Sequence, residues 1–352
     1  MNAMTLHARC ERVTSETAGI KVFTLSAQGA HAEFLGSLEP GKHIALQYPD
    51  TSGIEQQRLY SITRKDASDL FEIAVKREGR GGVSDHLHAT LQEGVTAPLQ
   101  FVAGDISVAS IIDHEQVGML AGGIGITLPI ALLRELVKRA RNGQTVPKVT
   151  LLLCVPSIAD IPFLHELLEL DLSTSWFSLH VYVTREPVRN NGHFRAGRPT
   201  AQCLSLLGQP DAVVICGSHR FAQGFREHSL AMFPDSELLI ESFTPPAAAQ
   251  PAGPEHAQAG NSVRLHLHDS DQVLELPAGK SLLDMLESSG IAVRSLCRSG
   301  ICGNCRIKVS DGECKFESDF CLSDQDKHEG YALACCTFPL SGNITVELNP
   351  TA

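Results

Sequence analysis

Near the C-terminus, Cys297, Cys302, Cys305 and Cys335 stand in the spacing C-x4-C-x2-C-x29-C. This is the plant-type spacing of four thiolates around a 2Fe-2S cluster, so the chemistry it offers is single-electron transfer. Each iron takes two thiolates, and the short loop from Cys297 to Cys305 lets three of them wrap one face of a cluster. Gly300 and Gly303 lie inside that loop, where the lack of a Cβ permits unusual dihedrals and a close approach of backbone amides to the cluster sulfurs. Such amides tune a reduction potential. Structural zinc is the competing reading, but it usually takes two pairs of closely spaced ligands, whereas here a triplet is matched by one distant cysteine. Cys335 and Cys336 are adjacent in a stretch, Tyr331 to Phe338, that reads as a strand. Neighbours on a strand point to opposite faces, so one of the two ligates and the spacing selects Cys335. Cys314 and Cys321 do not fit the spacing.

Two further groups of residues have the types needed to hold phosphate. Gly122-Gly123-Ile124-Gly125-Ile126-Thr127 follows a strand and opens a helix, where unpaired amides carry partial positive charge and can bind a dinucleotide pyrophosphate. Arg58-Leu59-Tyr60-Ser61 reads as a strand, and about twenty residues later Gly81-Gly82-Val83-Ser84 opens a helix. Arg58 offers a charged fork for phosphate oxygens, Tyr60 shares its strand face, and the glycine turn adds helix-start amides. A glycine turn also joins strand to helix without any ligand, and an Arg and a Tyr on an exposed strand also serve solubility and packing.

The elements that must position these residues divide the chain of 352 residues into several domains. Over 1–105, short alternating stretches such as Val22 to Leu25, His43 to Tyr48, Leu59 to Ile62 and Phe71 to Val75 are separated by Gly and Pro turns, the pattern of an antiparallel β-barrel or sandwich. Over 106–243, strands at Val117 to Ala121, Val149 to Val155, Ser178 to Val183 and Ala212 to Cys216 alternate with helical stretches at Leu128 to Arg141 and around Pro162 to Leu170. That alternation implies a doubly wound parallel sheet. Residues 244–262, rich in Pro, Ala and Gly, read as a linker. In 263–352, Val263 to Leu276 reads as a hairpin and Ser281 to Ser289 as a helix capped by Ser281.

Composition narrows the function classes. A formal charge of -11 argues against a nucleic-acid partner, which needs a basic surface. Apolar runs such as Val149 to Val155 are too short to span a membrane. Eleven cysteines without a signal peptide point to a reducing compartment, the cytoplasm. Residues 263–352 hold 13 acidic against 8 basic side chains, a surplus suited to steering toward a basic partner through Asp319, Asp324 and Asp326, although solvated side chains give the same count.

Taken in order, the RxYS strand, the GGxS turn, the strand-GGxGxT-helix, Cys216-Gly217 and the C-terminal C-x4-C-x2-C resemble the ferredoxin reductase superfamily, specifically flavin reductases with a C-terminal plant-type ferredoxin domain, the phthalate dioxygenase reductase type. The resemblance covers nearly the whole chain. The stretches Arg58 to Thr63, Ile73 to Arg77 and Ala103 to Asp105 are also similar to the reductase module of flavohaemoglobins. The resemblance implies a multidomain fold: an antiparallel β-barrel flavin domain, a doubly wound α/β nicotinamide domain and an α+β ferredoxin domain of the β-grasp kind. It implies a flavin held by Arg58, Leu59, Tyr60, Ser61, Val75, Lys76, Gly82, Val83 and Ser84. It further implies a nicotinamide cofactor held by Gly123, Gly125, Thr127, Cys216 and Gly217, with Phe243 closing that domain near the flavin ring. Ser61 and Cys216 would flank the transfer between the two cofactors. Leu128 and Ser218 stand where such proteins usually have proline.

FAD is the flavin implied by the flavohaemoglobin-like strings, FMN the alternative. NADH is favoured over NADPH because no arginine follows Pro156-Ser157, although Arg185 beyond the next strand could serve a 2′-phosphate. Nicotinamide gives two electrons together and the cluster accepts one, so a flavin between them links three sites into one chain. The implied acceptor is a redox protein partner, foremost the terminal component of a Rieske oxygenase, with a hybrid-cluster protein or haem monooxygenase as alternatives. A redox sensor with a vestigial flavin site is disfavoured by the intact Arg58, Tyr60, Ser61 and Gly123 to Thr127 set.

Overall fold

The computed structural model describes residues 6–242, 262–268, 273–277, 279–291, 293, 300, 303, 305–316, 322 and 324–348. They fall into two compact units, Met1–Ile240 and Glu241–Ala352.

The first unit begins with six strands: β1 (Leu6–Thr17), β2 (Ile20–Gln28), β3 (His43–Pro49), β4 (Glu55–Lys65), β5 (Leu70–Lys76) and β6 (Thr96–Ala103). They close into a barrel in the order β1-β2-β5-β4-β3-β6, antiparallel throughout. Closure leaves no unpaired edge. Alternation sends Phe23, Leu25, Ile44, Leu46, Ile62, Phe71, Ile73 and Leu99 into the interior. Each such side chain contributes about 1.5 to 3 kcal/mol of burial. Helices α1 (Ala32–Ser37) and α2 (Val83–Thr90) lie in the connections. Between β4 and β5 the register steps from Ile62 opposite Ile73 to Arg64 opposite Glu72, a bulge that leaves Thr63 without a partner residue on β5.

The chain continues as a six-stranded sheet of β7 (Gln116–Gly122), β8 (Lys148–Val155), β9 (Phe177–Val183), β10 (Phe194–Ala196), β11 (Ala212–Gly217) and β12 (Glu237–Ser242). Its order is β10-β9-β8-β7-β11-β12, and the first five are parallel. Helices α3 (Thr127–Arg141), α4 (Leu164–Ser173) and α5 (His219–Met232) follow β7, β8 and β11. The chain winds outward from β7 to β10 and then returns to the other side of β7. The strand order therefore reverses between β7 and β11, and the carboxyl ends of those two strands border the crevice where such sheets bind ligands. Barrel and sheet, read as two domains from the sequence, belong to one compact unit.

The second unit holds the sheet β14-β13-β17-β15-β16, formed by β13 (Ser262–Leu267), β14 (Val273–Pro277), β15 (Arg306–Phe316), β16 (Tyr331–Leu333) and β17 (Thr337–Leu348). Strands β13 and β14 make the expected hairpin, and β13 runs parallel to β17. Helix α6 (Leu282–Ser288) is capped by Ser281, whose Oγ accepts the Asp284 amide. It buries Leu282, Leu283, Met285 and Leu286 against Val263, Leu265, Ile307, Ile344 and Val346. A short α7 (Asp324–His328) precedes β16. Sheet and packed helix form the expected α+β domain. Among the described residues no helix is long and apolar enough to cross a membrane.

One expectation fails here. Tyr331 to Phe338 is not one strand: β16 ends at Leu333, Ala334–Cys336 form a 3-10 turn, and β17 starts at Thr337. The opposite-face argument for Cys335 and Cys336 falls with it.

Candidate functional site

The loop after β7 wraps into a single 3-10 turn, Gly123–Ile126, before α3 begins at Thr127. Gly123 has a φ of 56°, and a Cβ built on it meets nothing within 4 Å, so the turn borders open space beside the helix start. Gly125 is the opposite case. A Cβ there would fall 2.6 Å from the Cys216 carbonyl carbon and 2.8 Å from Gly217 Cα, so the turn packs directly on the end of β11. Cys216 and Gly217 are thereby brought against Gly125 in the turn that leads into α3. Phe221 on α5 fills the space that side chains at Gly122 and Gly217 would need, its ring 3.0 Å and 2.8 Å from the two built Cβ atoms. Ser218, in place of a proline, caps α5 by accepting the Phe221 amide at 3.4 Å. Pro129 stands in the first turn of α3, where its missing amide costs no hydrogen bond.

Strand β4 carries the flavin candidates on two faces. Tyr60 packs against the barrel core, and burial pushes its phenol up from the ordinary value. Arg58 is exposed and donates to the Gln57 carbonyl at 2.8 Å and to Gln56 Oε1. Ser61 faces the other way and is buried at 3 % exposure. Its Oγ lies 3.4 Å from Thr127 Oγ1, which also reaches the Ile124 carbonyl at 3.1 Å. The barrel strand and the nucleotide turn therefore meet through two buried hydroxyls that are 66 residues apart.

Gly82 is the N-cap of α2, and the amides of Gly82, Val83 and Ser84 belong to the helix start, which has no intrahelical partners. The preceding amides are engaged. Asp85, in the first turn, accepts from Gly79 at 2.8 Å, Arg80 at 2.7 Å and Gly81 at 2.6 Å. These bonds, that of Gly79 foremost, hold its carboxyl below the usual range. Thr51 Oγ1 donates to the Gly81 carbonyl at 2.5 Å, so both sides of the turn are tied. Helix α2 is docked on the barrel by His86 Nδ1 at 2.9 Å from the Pro49 carbonyl oxygen and by a 2.8 Å hydrogen bond between Thr90 and Tyr48. His88 Nε2 donates to the Val75 carbonyl at 2.7 Å, which seats α2 beside Val75 and the exposed Lys76 at the end of β5. The hydrogen bonds of Arg58 go to its own strand, to Gln56 and Gln57, rather than to the α2 turn.

In the second unit, Arg306 on β15 pairs with Leu333 on β16, and the Ala334 amide donates to the Cys305 carbonyl at 2.9 Å. That register sets Cys305 against the Ala334–Cys336 turn and brings Cys305 Sγ within 3.2 Å of Cys335 Sγ. Both thiols are buried, at 2 % and 8 % exposure, in an apolar core. Cys336 Sγ lies 3.7 Å from Cys335 Sγ, on the same side of the turn. Proximity to Cys305 now distinguishes Cys335. Gly300 and Gly303 have φ values of 72° and 71°, so the unusual dihedrals expected of them are left-handed. Cys297 and Cys302 lie outside the described residues, as does Phe243, and no set of three or more candidate ligands converges among the residues described. Burial raises the Cys314 thiol to about 11, the mark of an inert thiol. Of the acidic residues expected to steer a partner, Asp319 is outside the described residues and Asp326 is bound by Arg306.

These groups fit their proposed occupants. A cradle at the switch point that a Cβ at Gly125 would disrupt, open space beside Gly123 and a tied glycine turn at α2 suit a dinucleotide and a flavin phosphate. Paired buried thiols suit a cluster. The sequence reading missed Asp85, Thr51 and Phe221. Asp85 was signalled by an acid in the first turn after two glycines, while Thr51 and Phe221 had no local signal.

Residues 114–195 match the family model of a ferric reductase NAD binding domain, and 265–340 that of a 2Fe-2S iron-sulfur cluster binding domain. The glycine betaine monooxygenase reductase subunit of Pseudomonas aeruginosa is 26 % identical over 360 residues, covering 96 % of this chain and 94 % of that protein. The NADH oxidoreductase HCR of Escherichia coli is 27 % identical over 290 residues, covering 81 % and 82 %. The solved structure of phthalate dioxygenase reductase superposes with a TM-score of 0.55 at 19 % identity, covering 98 % of each chain, a likeness of fold.

Proposed function

We infer that this member of the ferredoxin reductase superfamily, an NAD(P)H-dependent oxidoreductase with a C-terminal 2Fe-2S domain, carries electrons from NADH through FAD to the cluster and on to a partner oxygenase of the Rieske type. The observation that carries the reading is the meeting of Ser61 on the barrel strand with Thr127 at the nucleotide turn, 3.4 Å apart. On this reading the contact joins the surface that holds the flavin to the one that holds the dinucleotide.

The domains in this reading are 1–105 for flavin, 106–243 for nicotinamide, 244–262 as linker and 263–352 for the cluster. Arg58, Leu59, Tyr60, Val75, Lys76, Gly82, Val83 and Ser84 hold the flavin, and Gly123, Gly125, Thr127, Cys216 and Gly217 hold the dinucleotide. Cys297, Cys302, Cys305 and Cys335 hold the cluster. A bound flavin would supply the conversion between the two-electron chemistry of a nicotinamide and the one-electron chemistry of a 2Fe-2S centre. The protein's part is to bind and orient. The α2 amides would neutralise phosphate, Ser61 and Thr127 would offer hydroxyls to the two cofactors, and Gly125 packed on Cys216 would let a dinucleotide approach the backbone. NADH is favoured because Glu186 places a carboxylate on the Ile158 amide at 2.7 Å, just past β8, where a 2′-phosphate would be repelled. Arg185, whose amide reaches the Pro156 carbonyl at 2.8 Å, is the residue that would reverse that preference. No disulfide joins the eight described cysteines, in keeping with a reducing setting such as the cytoplasm.

Anaerobic titration with NADH tests the chain. Flavin absorbance should bleach and a reduced-cluster resonance signal should appear. Bleaching without that signal would remove the cluster from the route. Turnover of a purified Rieske oxygenase with NADH tests the partner, chromatography of the released flavin separates FAD from FMN, and NADPH in parallel tests the donor.

A further inference from the structure

Arg134 is a charged residue on an otherwise apolar face of α3, beside Ile130, Leu133 and Val137, and it is 9 % exposed. Its Nε and Nη2 donate to the two carboxylate oxygens of Glu166 on α4 at 2.8 Å and 2.7 Å. Its Nη1 donates to the Thr63 carbonyl of β4 at 3.2 Å and stands 3.5 Å from the buried Glu72 carboxylate of β5. The Thr63 carbonyl is available to a side chain because Thr63 is the bulged residue of the β4 and β5 pairing. The Phe163 ring covers the guanidinium with its centroid 5.0 Å away. Phe163 is also the one non-glycine residue of positive φ among those described, at 57°, and its amide donates to Glu16 Oε1 on β1 at 2.7 Å. A strained backbone persists where its surroundings hold it in place.

This junction has a regular geometry. Ser61, Thr63 and Lys65 alternate along β4, and Thr127, Arg134 and Lys138 follow at one face of α3. Three rungs join them: the Thr127 and Ser61 hydroxyls at 3.4 Å, Arg134 to the Thr63 carbonyl at 3.2 Å and Lys138 Nζ to the Lys65 carbonyl at 3.1 Å. The first rung is the meeting of the flavin strand with the nucleotide turn. The middle rung is charged and buried, its guanidinium is held by the fork onto Glu166, and it sits two helical turns along the same rod.

We propose that Arg134 is a positioning residue for electron entry: by registering α3 on β4 it sets the nucleotide turn at Gly123 to Thr127 against the flavin face at Ser61. This rests on the reading of Ser61 and Thr127 as facing flavin and nicotinamide. The residue acts through helix placement and touches neither cofactor site directly.

The test uses the full-length holoprotein in anaerobic stopped flow with NADH and with NADH deuterated at the transferred position. Arg134→Met should lower the limiting rate of flavin bleaching by about 100-fold, the scale expected for a misplacement near 1 Å, while flavin and iron content hold. Arg134→Lys should fall between it and the wild type, and the isotope effect should rise as transfer becomes limiting. Cluster reduction after photoreduction of the flavin should keep its wild-type rate, since that step does not use the α3 to β4 register. Glu166→Gln, which weakens the fork and keeps the guanidinium, serves where Arg134→Met does not fold. It should slow bleaching by about 10-fold in protein that keeps its fold and its flavin. Folded variants that bleach at the wild-type rate with an unchanged isotope effect overturn the inference. A wild-type protein that NADH does not bleach overturns the underlying reading instead.

Discussion

The two units place their chemistry by different means. In the second unit, Cys305 and Cys335 are set together by one β-pairing, Arg306 opposite Leu333, and by the Ala334 amide on the Cys305 carbonyl. In the first unit, Ser61, Thr127 and Cys216 come from a barrel strand, a helix start and a strand end, and no local motif spans them. A cluster needs thiols within a loop's reach. Electron entry needs two surfaces to meet, so its precision depends on how barrel and sheet are registered. Damage to one site should leave the other working.

The largest effect is expected at the cluster. Cys335→Ala should reduce iron and acid-labile sulfide to background and abolish transfer to any one-electron protein acceptor. NADH-driven reduction of ferricyanide, which takes electrons from flavin, should persist. Loss of the ferricyanide activity as well would break the separation. Cys336→Ala should keep its iron if the 3.2 Å approach to Cys305 rightly distinguishes its neighbour.

The reciprocal change is Gly125→Ala. Its Cβ must displace the Cys216 carbonyl, which is backbone and cannot rotate away. The limiting rate of flavin reduction by NADH should fall by about 100-fold, with iron content unchanged. Gly123→Ala sharpens the contrast, because its Cβ enters open space and only the φ of 56° opposes it. That strain costs about 1 to 2 kcal/mol, so a lower melting temperature with milder kinetic loss is expected.

What the sequence made legible follows the same division. The Ser281 cap and the β13 and β14 hairpin are local patterns, and both stand in the structure, while the cysteine spacing is as local but has only Cys305 and Cys335 among the described residues. The glycine turn after β7 was legible because strand, glycines and helix are consecutive. Failure came where an element's end had to be judged: alternation through Tyr331 to Phe338 hid a 3-10 turn that only pairing with β15 reveals. Arg134 was passed over because an arginine among leucines looks like a surface residue until Thr63, Glu72 and Glu166 are brought to it from three other elements. The division of faces along β4, with Tyr60 on the core and Ser61 toward α3, depends on which side the nucleotide domain occupies. That is not written in a tetrapeptide.

A smaller effect is expected at Asp85. Its carboxylate holds the amides of Gly79, Arg80 and Gly81, so Asp85→Ala should loosen the turn before α2 and weaken flavin retention by about 10-fold, the scale of one charge-assisted bond. Equilibrium dialysis of released flavin measures it. The depressed carboxyl pKa gives the pH sense: the holding is complete above the ordinary range near 4 and is lost as pH falls through the lower folded value. Flavin release confined to strongly acidic pH would agree. Release already at pH 6 would point away from Asp85.

The smallest effect concerns how α2 is seated. His88 is buried, and burial pushes its imidazole below the ordinary value against the hydrogen bond to Val75 that favours charge. The neighbouring charges are Lys21, whose Nζ donates to the His88 carbonyl at 2.7 Å, Arg77 and Asp85. The folded protein holds this ring neutral where the unfolded chain takes up a proton, so its contribution is complete above about 6.5 and declines as pH drops below that value. Melting temperature should therefore fall more steeply between pH 6.5 and 5.5 in the wild type than in His88→Gln, which keeps a donor for the Val75 carbonyl and has no proton to take up. Because α2 belongs to the first unit and the cluster cysteines to the second, the same acidification should leave iron content unchanged. Parallel loss of iron and of melting temperature in that window would mean that the two regions are coupled in stability, whatever their separation in chemistry.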